Sequence, residues 1–194
     1  WDGEGNAITV DSADNVYVTG CINIPMANND MFLMKYDSSG IQQWNRSWGG
    51  TFNDEGFGVV VDSAGNVYVT GDLDTEETSE HDIFLVKYDN SGELQWDHTL
   101  AVSLDDDVGY GLAVDSSDNV YLTGKVNELM NFLGDMILIK YNSSGEQQWN
   151  RTWGGTYLDQ GMGVVVDSSD NIKFYANNTR GFEGFSEVSV FKDI

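Results

Sequence analysis

The feature that most constrains this chain is a repeat of about 52 residues. The block Val10-Asp-Ser-Ala-Asp-Asn-Val-Tyr-Val-Thr-Gly20 returns twice with small changes, and a degenerate copy follows. The four copies begin at Val10, Val61, Val114 and Val166, which are 51, 53 and 52 residues apart. A second block recurs with the same period, at 30–36, 82–88 and 135–141, and a degenerate copy lies at 187–193. A fixed period indicates tandem copies of one supersecondary unit, and we predict four units, at 1–51, 52–104, 105–156 and 157–194.

Each unit predicts four short strands and no helix. Runs of β-branched and aromatic residues alternate with Gly, Asn, Asp and Ser turns. In the second unit the predicted strands are A at 56–62, B at 67–71, C at 82–88 and D at 93–100. Some turn positions need a left-handed backbone, which Gly, Asn and Asp tolerate best. We predict it at Gly65 and its counterparts Asp14, Asp118 and Asp170, and at Gly40, Gly92 and Gly145.

A four-stranded unit of this size cannot bury both of its faces alone, so the copies must stack face to face around an axis as blades. Strand C agrees, because Ile83 and Leu85 alternate with the equally apolar Phe84 and Val86. The recurring tryptophans are predicted to be packing wedges between sheets; they are Trp44, Trp48, Trp96, Trp149 and Trp153. The predicted fold is therefore an all-β propeller domain or segment over 1–194, with four tandem four-stranded blades of which the last lacks its outer strand.

Three sequence runs carry a family resemblance. They are Gly-Gly-x-x-x-Asp-x-Gly-x-Gly-Val-Val-Val-Asp-Ser-x-Gly-Asn-Val-Tyr-Val-Thr-Gly at 49–71, Asp-Ile-Phe-Leu-Val-Lys-Tyr-x-x-Ser-Gly at 82–92 and Gln-Trp-x-x-Thr-Trp-Gly-Gly at 148–155. The chain resembles the SBBP β-propeller repeat of bacterial and archaeal surface proteins. The resemblance implies propeller blades in a large secreted protein and leaves the activity open. Two segments depart from it, at 100–102 and 173–176.

Composition narrows the partners. Nine basic residues face 32 acidic ones, for a net charge of −23. This balance argues against nucleic acid and against an anionic membrane surface, since both are bound through Lys and Arg. No apolar run approaches the ~20 residues of a membrane span, so membrane insertion is not expected. The acidity could serve cation attraction or a salty habitat.

Catalysis has little support in the sequence. The single cysteine, Cys21, follows strand B of the first unit and is interpreted as a packed thiol. His81 and His98 have no counterparts in the other units and are interpreted as ordinary surface residues. No catalytic motif is present. We therefore predict no catalytic residue, no cofactor and no enzyme activity.

Charges that recur in every unit are predicted to serve the scaffold. Four lysines end the C strands and four aspartates end the A strands. We predict structural ion pairs between them, within or between blades, from Lys35, Lys87, Lys140 and Lys192 to Asp11, Asp62, Asp115 and Asp167.

Function is sought where the units disagree, in the B-to-C loops at 21–29, 72–81, 125–134 and 177–186. In an up-and-down blade the D-to-A connections reach the same end. That end is acidic, and its candidate binding residues are Asp72, Asp74, Glu76, Glu77, Glu80, Asp105, Asp106 and Asp107. We favour a non-catalytic module for protein interaction, adhesion or surface assembly. The alternative is a Ca²⁺-dependent carbohydrate-binding or hydrolytic propeller, with Asp105 and Asp107 as weak Ca²⁺ candidates.

Two further expectations concern the setting. Sequons at Asn45, Asn142, Asn150 and Asn177 predict an extracellular glycoprotein at the cell surface. The open edge of strand C in the fourth unit predicts that polypeptide outside 1–194 completes or covers that blade. The expected partners are accordingly a second copy, the rest of a larger surface protein, or a glycan.

Overall fold

The computed structural model describes residues 2–23, 28–75, 80–101, 106–127, 134–154, 157–178 and 188–192. These residues form fifteen β-strands. The strands are β1 (Asp2–Val10), β2 (Val16–Asn23), β3 (Asn29–Tyr36), β4 (Gln42–Trp48), β5 (Asp54–Val61), β6 (Val67–Asp74), β7 (His81–Tyr88), β8 (Leu94–Leu100), β9 (Val108–Val114), β10 (Val120–Val126), β11 (Asp135–Tyr141), β12 (Gln147–Trp153), β13 (Asp159–Val166), β14 (Asn171–Asn178) and β15 (Val188–Lys192).

The strands form four antiparallel sheets in sequence order. Three sheets have four strands (β1 to β4, β5 to β8 and β9 to β12), and the fourth has three (β13 to β15). We call them blades 1 to 4. The all-β prediction of four blades, with the outer strand missing from the last, is confirmed. Blades 1 and 2 form one compact unit, residues 1–100, and blades 3 and 4 form another, residues 101–194; the prediction of a single domain stays a prediction.

Each β-hairpin between strands A and B is closed by an aspartate. In blade 2, Asp62 Oδ1 accepts hydrogen bonds from the backbone N–H groups of Ala64 (3.0 Å) and Asn66 (2.8 Å). Asp62 Oδ2 accepts from Asn66 Nδ2 at 2.8 Å and from the Tyr68 hydroxyl at 3.1 Å. Satisfying these donors holds a tight turn whose fourth residue is left-handed. The predicted left-handed positions are confirmed, with φ of 61° at Asp14, 60° at Asp118, 57° at Asp170 and 83° at Gly65.

Blade 2 stacks on blade 1 through alternating apolar residues. We call the side of a blade that contacts the next blade its front face, and the opposite side its rear face. The shared core joins the front face of blade 1 (Tyr17, Met31, Leu33) to the rear face of blade 2 (Val67, Val69, Phe84, Val86, Tyr88). Blade 4 packs on blade 3 in the same way. The Trp48 ring lies 4.7 Å from that of Phe84, and the Trp153 ring lies 5.6 Å from that of Phe174, so both tryptophans are wedges between blades.

A threonine and a glycine set the distance between stacked blades. Thr19 is buried, and its hydroxyl donates to the Phe32 carbonyl at 2.7 Å. A Cβ atom at Gly56 of blade 2 would collide with Thr19 Oγ1. Gly161 of blade 4 meets Thr123 of blade 3 identically. Glycine is therefore required here for close approach of two sheets.

Candidate functional site

The recurring lysines and aspartates lie within the scaffold. Lys140 Nζ is 3.9 Å from Asp115 Oδ2 in the same blade, and it also lies 5.2 Å above the Tyr121 ring. The tyrosine belongs to the intervening strand B, so the lysine reaches the aspartate across its ring. Lys87 lies 5.0 Å above the equivalent Tyr68.

Lys35 also contacts the neighbouring blade. Its ammonium lies 5.1 Å above the Tyr17 ring and donates to the side-chain oxygen of Asn90 and, at 3.4 Å, to its carbonyl. Asn90 belongs to the C-to-D turn of blade 2. Lys35 therefore helps to hold two blades together, which is the role that the repeat predicts.

Blade 4 departs from the predicted pairing. Lys173 occupies the strand B position at which the other blades have a tyrosine, such as Tyr121 of blade 3. Its Nζ lies 3.0 Å from Asp167 Oδ2. In the strand register Lys173 is opposite Val190, whereas Lys192 is opposite Asn171. Lys173 therefore supplies a positive charge to Asp167 from strand B, and the predicted pairing of Lys192 with Asp167 stays a prediction.

Hydrogen bonds hold the turn aspartates of blades 3 and 4 ionised. Burial alone would raise the pKa of Asp115, but hydrogen bonds from Asn119, Ser117 and Tyr121 together lower it below its ordinary value. The hydrogen bond from Lys173, followed by those from Asn171, lowers the pKa of Asp167 strongly. These carboxylates are saturated by internal donors and act as structural groups.

The predicted loop end exists in the structure. The backbone N–H of Asp74, at the end of strand B, donates to the Asn53 carbonyl at 3.0 Å. The Asn53 side chain accepts from the backbone N–H of Asn29 at 3.0 Å. In the compact unit formed by blades 3 and 4, the N–H of Asp159 donates to the Gly134 carbonyl at 3.0 Å. The B-to-C hairpins and D-to-A connections therefore meet at one end of each unit.

An aspartate stands at the start of strand A, or just before it, in blades 2, 3 and 4, at Asp54, Asp107 and Asp159. Asp54 and Asp107 are buried, and Asp159 is half-buried. Asp54 is fully buried, and its Oδ2 accepts from the Gly50 N–H at 2.6 Å. Burial raises the pKa of Asp54 to about 6. Sequence reasoning missed this role, although the signal was present as an Asp two residues before the Gly-x-Gly of strand A.

Asp107 was predicted to be a binding residue, and its position in the structure does not agree with that role. It is fully buried, and its Oδ1 accepts from the Asn127 backbone N–H at 3.0 Å. A carboxylate committed to the scaffold is not displayed to a partner or to Ca²⁺. Of the other candidates in that connection, Asp106 is half-buried and Asp105 lies outside the described residues.

The acidic B-to-C hairpin of blade 2 brings a carboxylate close to an imidazole. Asp72 Oδ2 lies 3.1 Å from His81 Nδ1, and the two side chains are 16% and 28% exposed. Burial raises the pKa of Asp72, opposed by the neighbouring His81 charge. His81 is thus half-buried beside a carboxylate, a contact that the interpretation as an ordinary surface residue did not include. Asp74 is half-buried and Glu80 is exposed, while Glu76 and Glu77 lie outside the described residues.

A cavity of about 260 Å³ opens at this end of the compact unit formed by blades 1 and 2. It brings together two carboxylates, two amides and a thiol, and its lining residues are Gly3, Glu4, Cys21, Asn23, Asn29 and Glu55. Asn6 Nδ2 donates to Glu55 Oε1 at 2.9 Å and orients that carboxylate toward strand β1. The cavity is an acidic, hydrogen-bonding site on the predicted loop end.

The thiol in this cavity is not activated. Cys21 is free and buried. Burial, and then the nearby Glu55 charge, raise the pKa of its thiol. Since the thiolate is the nucleophilic form, the interpretation of Cys21 as a packed thiol is confirmed.

Within the part of the chain that the structure describes, no three His, Cys, Asp or Glu side chains are grouped to hold a metal ion. The same residues contain no helix long and apolar enough to cross a membrane. The sequons Asn45 and Asn150 are exposed on outer strands, whereas Asn177 is half-buried in β14. The side-chain oxygen of Asn142 accepts from the Ser144 and Glu146 N–H groups in a turn. Glycosylation stays a prediction.

Sequential antiparallel blades stacked through their faces define this chain as a protein of the β-propeller class. Residues 43–72 and 95–128 match the family described as "SBBP: Beta-propeller repeat". These two segments therefore carry the repeat that the resemblance implied. Each match begins in the outer strand of one blade and extends into strand B of the next.

One regulatory protein and two solved structures are among the proteins that this chain is similar to. The chain is 31% identical over 110 residues to the regulatory protein FlaEY of Caulobacter vibrioides, a match over 50% of this chain and 11% of FlaEY. A Bacteroides caccae protein of unknown function is similar in structure, with a TM-score of 0.55, 9% identity and coverage of 94% of this chain and 59% of that one. A GH43_12 protein retrieved from a capybara gut metagenome has a TM-score of 0.50, with 14% identity and coverage of 92% and 38%. The two structural similarities show the fold alone.

Proposed function

We propose that this chain is a non-catalytic, extracellular protein-interaction module that binds a Lys or Arg side chain of a partner protein in the acidic cavity of its first unit. The observation that carries the proposal is the placement of Glu4 and Glu55 in one cavity with the amides of Asn23 and Asn29. Carboxylates supply charge-assisted hydrogen bonds to a guanidinium or ammonium group. The amide oxygens supply further acceptors.

The size of the cavity favours a side chain over a larger ligand. Its volume of about 260 Å³ is below the ~300–1,000 Å³ typical of pockets for small molecules. A single long basic side chain needs less room than a sugar chain. The lining residues also sit on strands β1, β2, β3 and β5, so the carboxylates are held before the partner arrives.

The charge of the whole chain supports the same partner. A net charge of −23 attracts a basic surface over a distance and raises the rate of encounter. The extracellular setting rests on the resemblance to repeats of surface proteins and on the exposed sequons Asn45 and Asn150. The chain spans about a tenth of FlaEY, and an interaction module is a suitable part of such a larger protein.

The test uses hexapeptides that each contain one Arg or Lys, titrated calorimetrically into the wild type and into Glu4→Gln/Glu55→Gln. We expect the double variant to bind about tenfold more weakly, since two charge-assisted hydrogen bonds are weakened. The matched control is Glu93→Gln/Glu146→Gln, which removes the same charge from exposed C-to-D turns. An equal loss in the control, or no binding by the wild type, would overturn the proposal.

A further inference from the structure

We infer that the acidic cavity selects an arginine side chain over lysine, because Asn6 and Cys21 hold the Glu55 carboxylate in one orientation. This selectivity rests on the proposed function of the cavity and names which basic side chain the same site takes. Two hydrogen bonds to Glu55 carry it. Their donors are positioning residues, and blade 1 alone has an asparagine and a cysteine at these repeat positions.

Asn6 lies on a β-bulge of β1. The register between β1 and β2 shifts between Gly5 and Ala7, which leaves Asn6 out of the ladder. A bulge re-aims one side chain relative to its strand. The amide of Asn6 reaches β5 of the next blade, where Nδ2 donates to Glu55 Oε1 at 2.9 Å and to the Gly56 carbonyl at 3.1 Å. Asn6 is therefore anchored to the strand that carries Glu55.

The same bulge in the other blades carries no amide. Its residues there are Phe57, Tyr110 and Met162. Because the bulge forms with any of these side chains, the fold does not require an asparagine at this position. The amide of Asn6 is explained instead by what it holds, which is the carboxylate of the cavity.

The Cys21 thiol holds the same carboxylate from blade 1. Cys21 is buried on β2 opposite Glu4, and its thiol donates a hydrogen bond to the Glu55 carboxylate. The same repeat position of blade 2 is Asp72, which has no such donor when it is ionised. An amide and a thiol thus orient Glu55 before a ligand enters. A carboxylate accepts about four hydrogen bonds, so roughly two remain for the ligand.

A carboxylate held in one orientation favours a planar ligand group. The guanidinium of arginine presents its N–H donors in a rigid fork, which pairs with a carboxylate through two parallel hydrogen bonds. The lysine ammonium is a compact charge whose donors rotate to suit a carboxylate in any orientation. Holding Glu55 in place therefore stabilises bound arginine more than bound lysine.

The rest of the cavity supplies acceptors for the other guanidinium donors. Glu4 contributes a second carboxylate. Asn23 and Asn29 are opposite each other in the register of β2 and β3, and both line the cavity. Arginine has more N–H donors than lysine to satisfy such a set of oxygens.

The test compares calorimetric titrations of two hexapeptides that differ only in carrying Arg or Lys. We expect the wild type to bind the Arg peptide about tenfold more tightly. In Asn6→Ala the Arg peptide should lose most of this advantage, while the affinity for the Lys peptide changes by less than about twofold. The matched control is Asn45→Ala, which removes an exposed amide from β4 and should keep the wild-type ratio.

Two further measurements separate positioning from folding. Cys21→Ala should reduce the ratio of the two affinities, whereas Cys21→Ser should keep it because a hydroxyl can still donate. A peptide with asymmetric dimethylarginine should bind the wild type no better than the Lys peptide does, because methylation keeps the charge and blocks the paired hydrogen bonds. The second measurement needs no variant to fold.

The results distinguish this selectivity from the proposed function. If the wild type binds neither peptide, the proposed function fails and the selectivity fails with it. If the wild type binds both peptides equally, or if folded Asn6→Ala loses the same affinity for both, selection of arginine by a fixed Glu55 is refuted while the proposed function stands.

Discussion

At the scale of single residues, the turn between strands A and B explains which recurring charges belong to the scaffold. Asp115 accepts from the N–H groups of Ser117 and Asn119, from the Asn119 side chain and from the Tyr121 hydroxyl. Its side chain is only 6% exposed, whereas that of Asp167 in blade 4 is 30% exposed. The same turn is therefore buried to different depths in two blades of one unit.

This difference gives a prediction for two matched substitutions. Asp115→Ala should lower the free energy of unfolding by about 2 kcal/mol, because it leaves several half-buried donors and Lys140 without their acceptor. Asp167→Ala should destabilise the fold clearly less, because water can replace its carboxylate. Urea unfolding at pH 7 measures both. Equal losses in the two variants would show that burial does not set the strength of this turn.

The sequence predicted the turn but not all the partners of its charges. Asp14, Asp118 and Gly65 could be assigned a left-handed backbone because turn geometry depends on neighbours in sequence. The contact of Lys35 with Asn90 could not be predicted, since it joins two blades whose relative position depends on packing. The ion pair of Lys173 with Asp167 was also hidden, because the other three units have a tyrosine at the position of Lys173.

At the scale of strands and blades, stacking depends on large side chains on the outer strand and on a close approach at the inner strand. Trp48 of β4 contacts Phe84 of blade 2. At the inner strand, Gly56 lies against Thr19. Wedge and close approach together tilt successive blades, as a propeller requires.

Trp48→Ala should lower the free energy of unfolding by about 3–5 kcal/mol, because it removes a large side chain from the core between blades 1 and 2. Gln43→Ala, at an exposed position on the same strand, should change it by less than about 0.5 kcal/mol. Thermal and urea unfolding of both variants check this. A loss below about 1 kcal/mol for Trp48→Ala would contradict the wedge role.

The sequence could predict at which end of the blades the candidate site lies, but it could not predict the cavity there. Variable acidic loops identified the end that carries Asp72 and Asp74. The cavity itself needs strand ends from two blades, and its amides Asn23 and Asn29 had no counterpart by which a repeat could identify them. Burial of Asp107 depends on the strand B end that covers it, so its acidity suggested a binding role that the fold assigns to structure.

At the scale of the whole molecule, the carboxylates divide into two groups with opposite effects on stability. Hydrogen bonds hold the pKa of Asp115 and Asp167 below the ordinary value of 3.8. These groups stabilise the fold above about pH 4 and lose that contribution as the pH falls further. Burial raises the pKa of Asp54 and Asp72 above the same value, so these groups bind a proton more readily in the folded chain than in the unfolded one.

The stability of the chain should therefore be greatest between about pH 4 and 6 and not at neutral pH. Asp54, with a pKa of about 6 against an ordinary 3.8, should make the fold more stable as the pH falls from 7 toward 4, by roughly 2 kcal/mol. Relief of repulsion within a chain of net charge −23 acts in the same direction. Asp54→Asn separates the two effects, because it removes the titration of one buried group and leaves the remaining acidic charge in place. We expect the urea midpoint to increase as the pH is lowered from 8 to 4, and to increase more for the wild type than for Asp54→Asn. Parallel curves for the two proteins would show that Asp54 is still ionised at low pH in the folded protein.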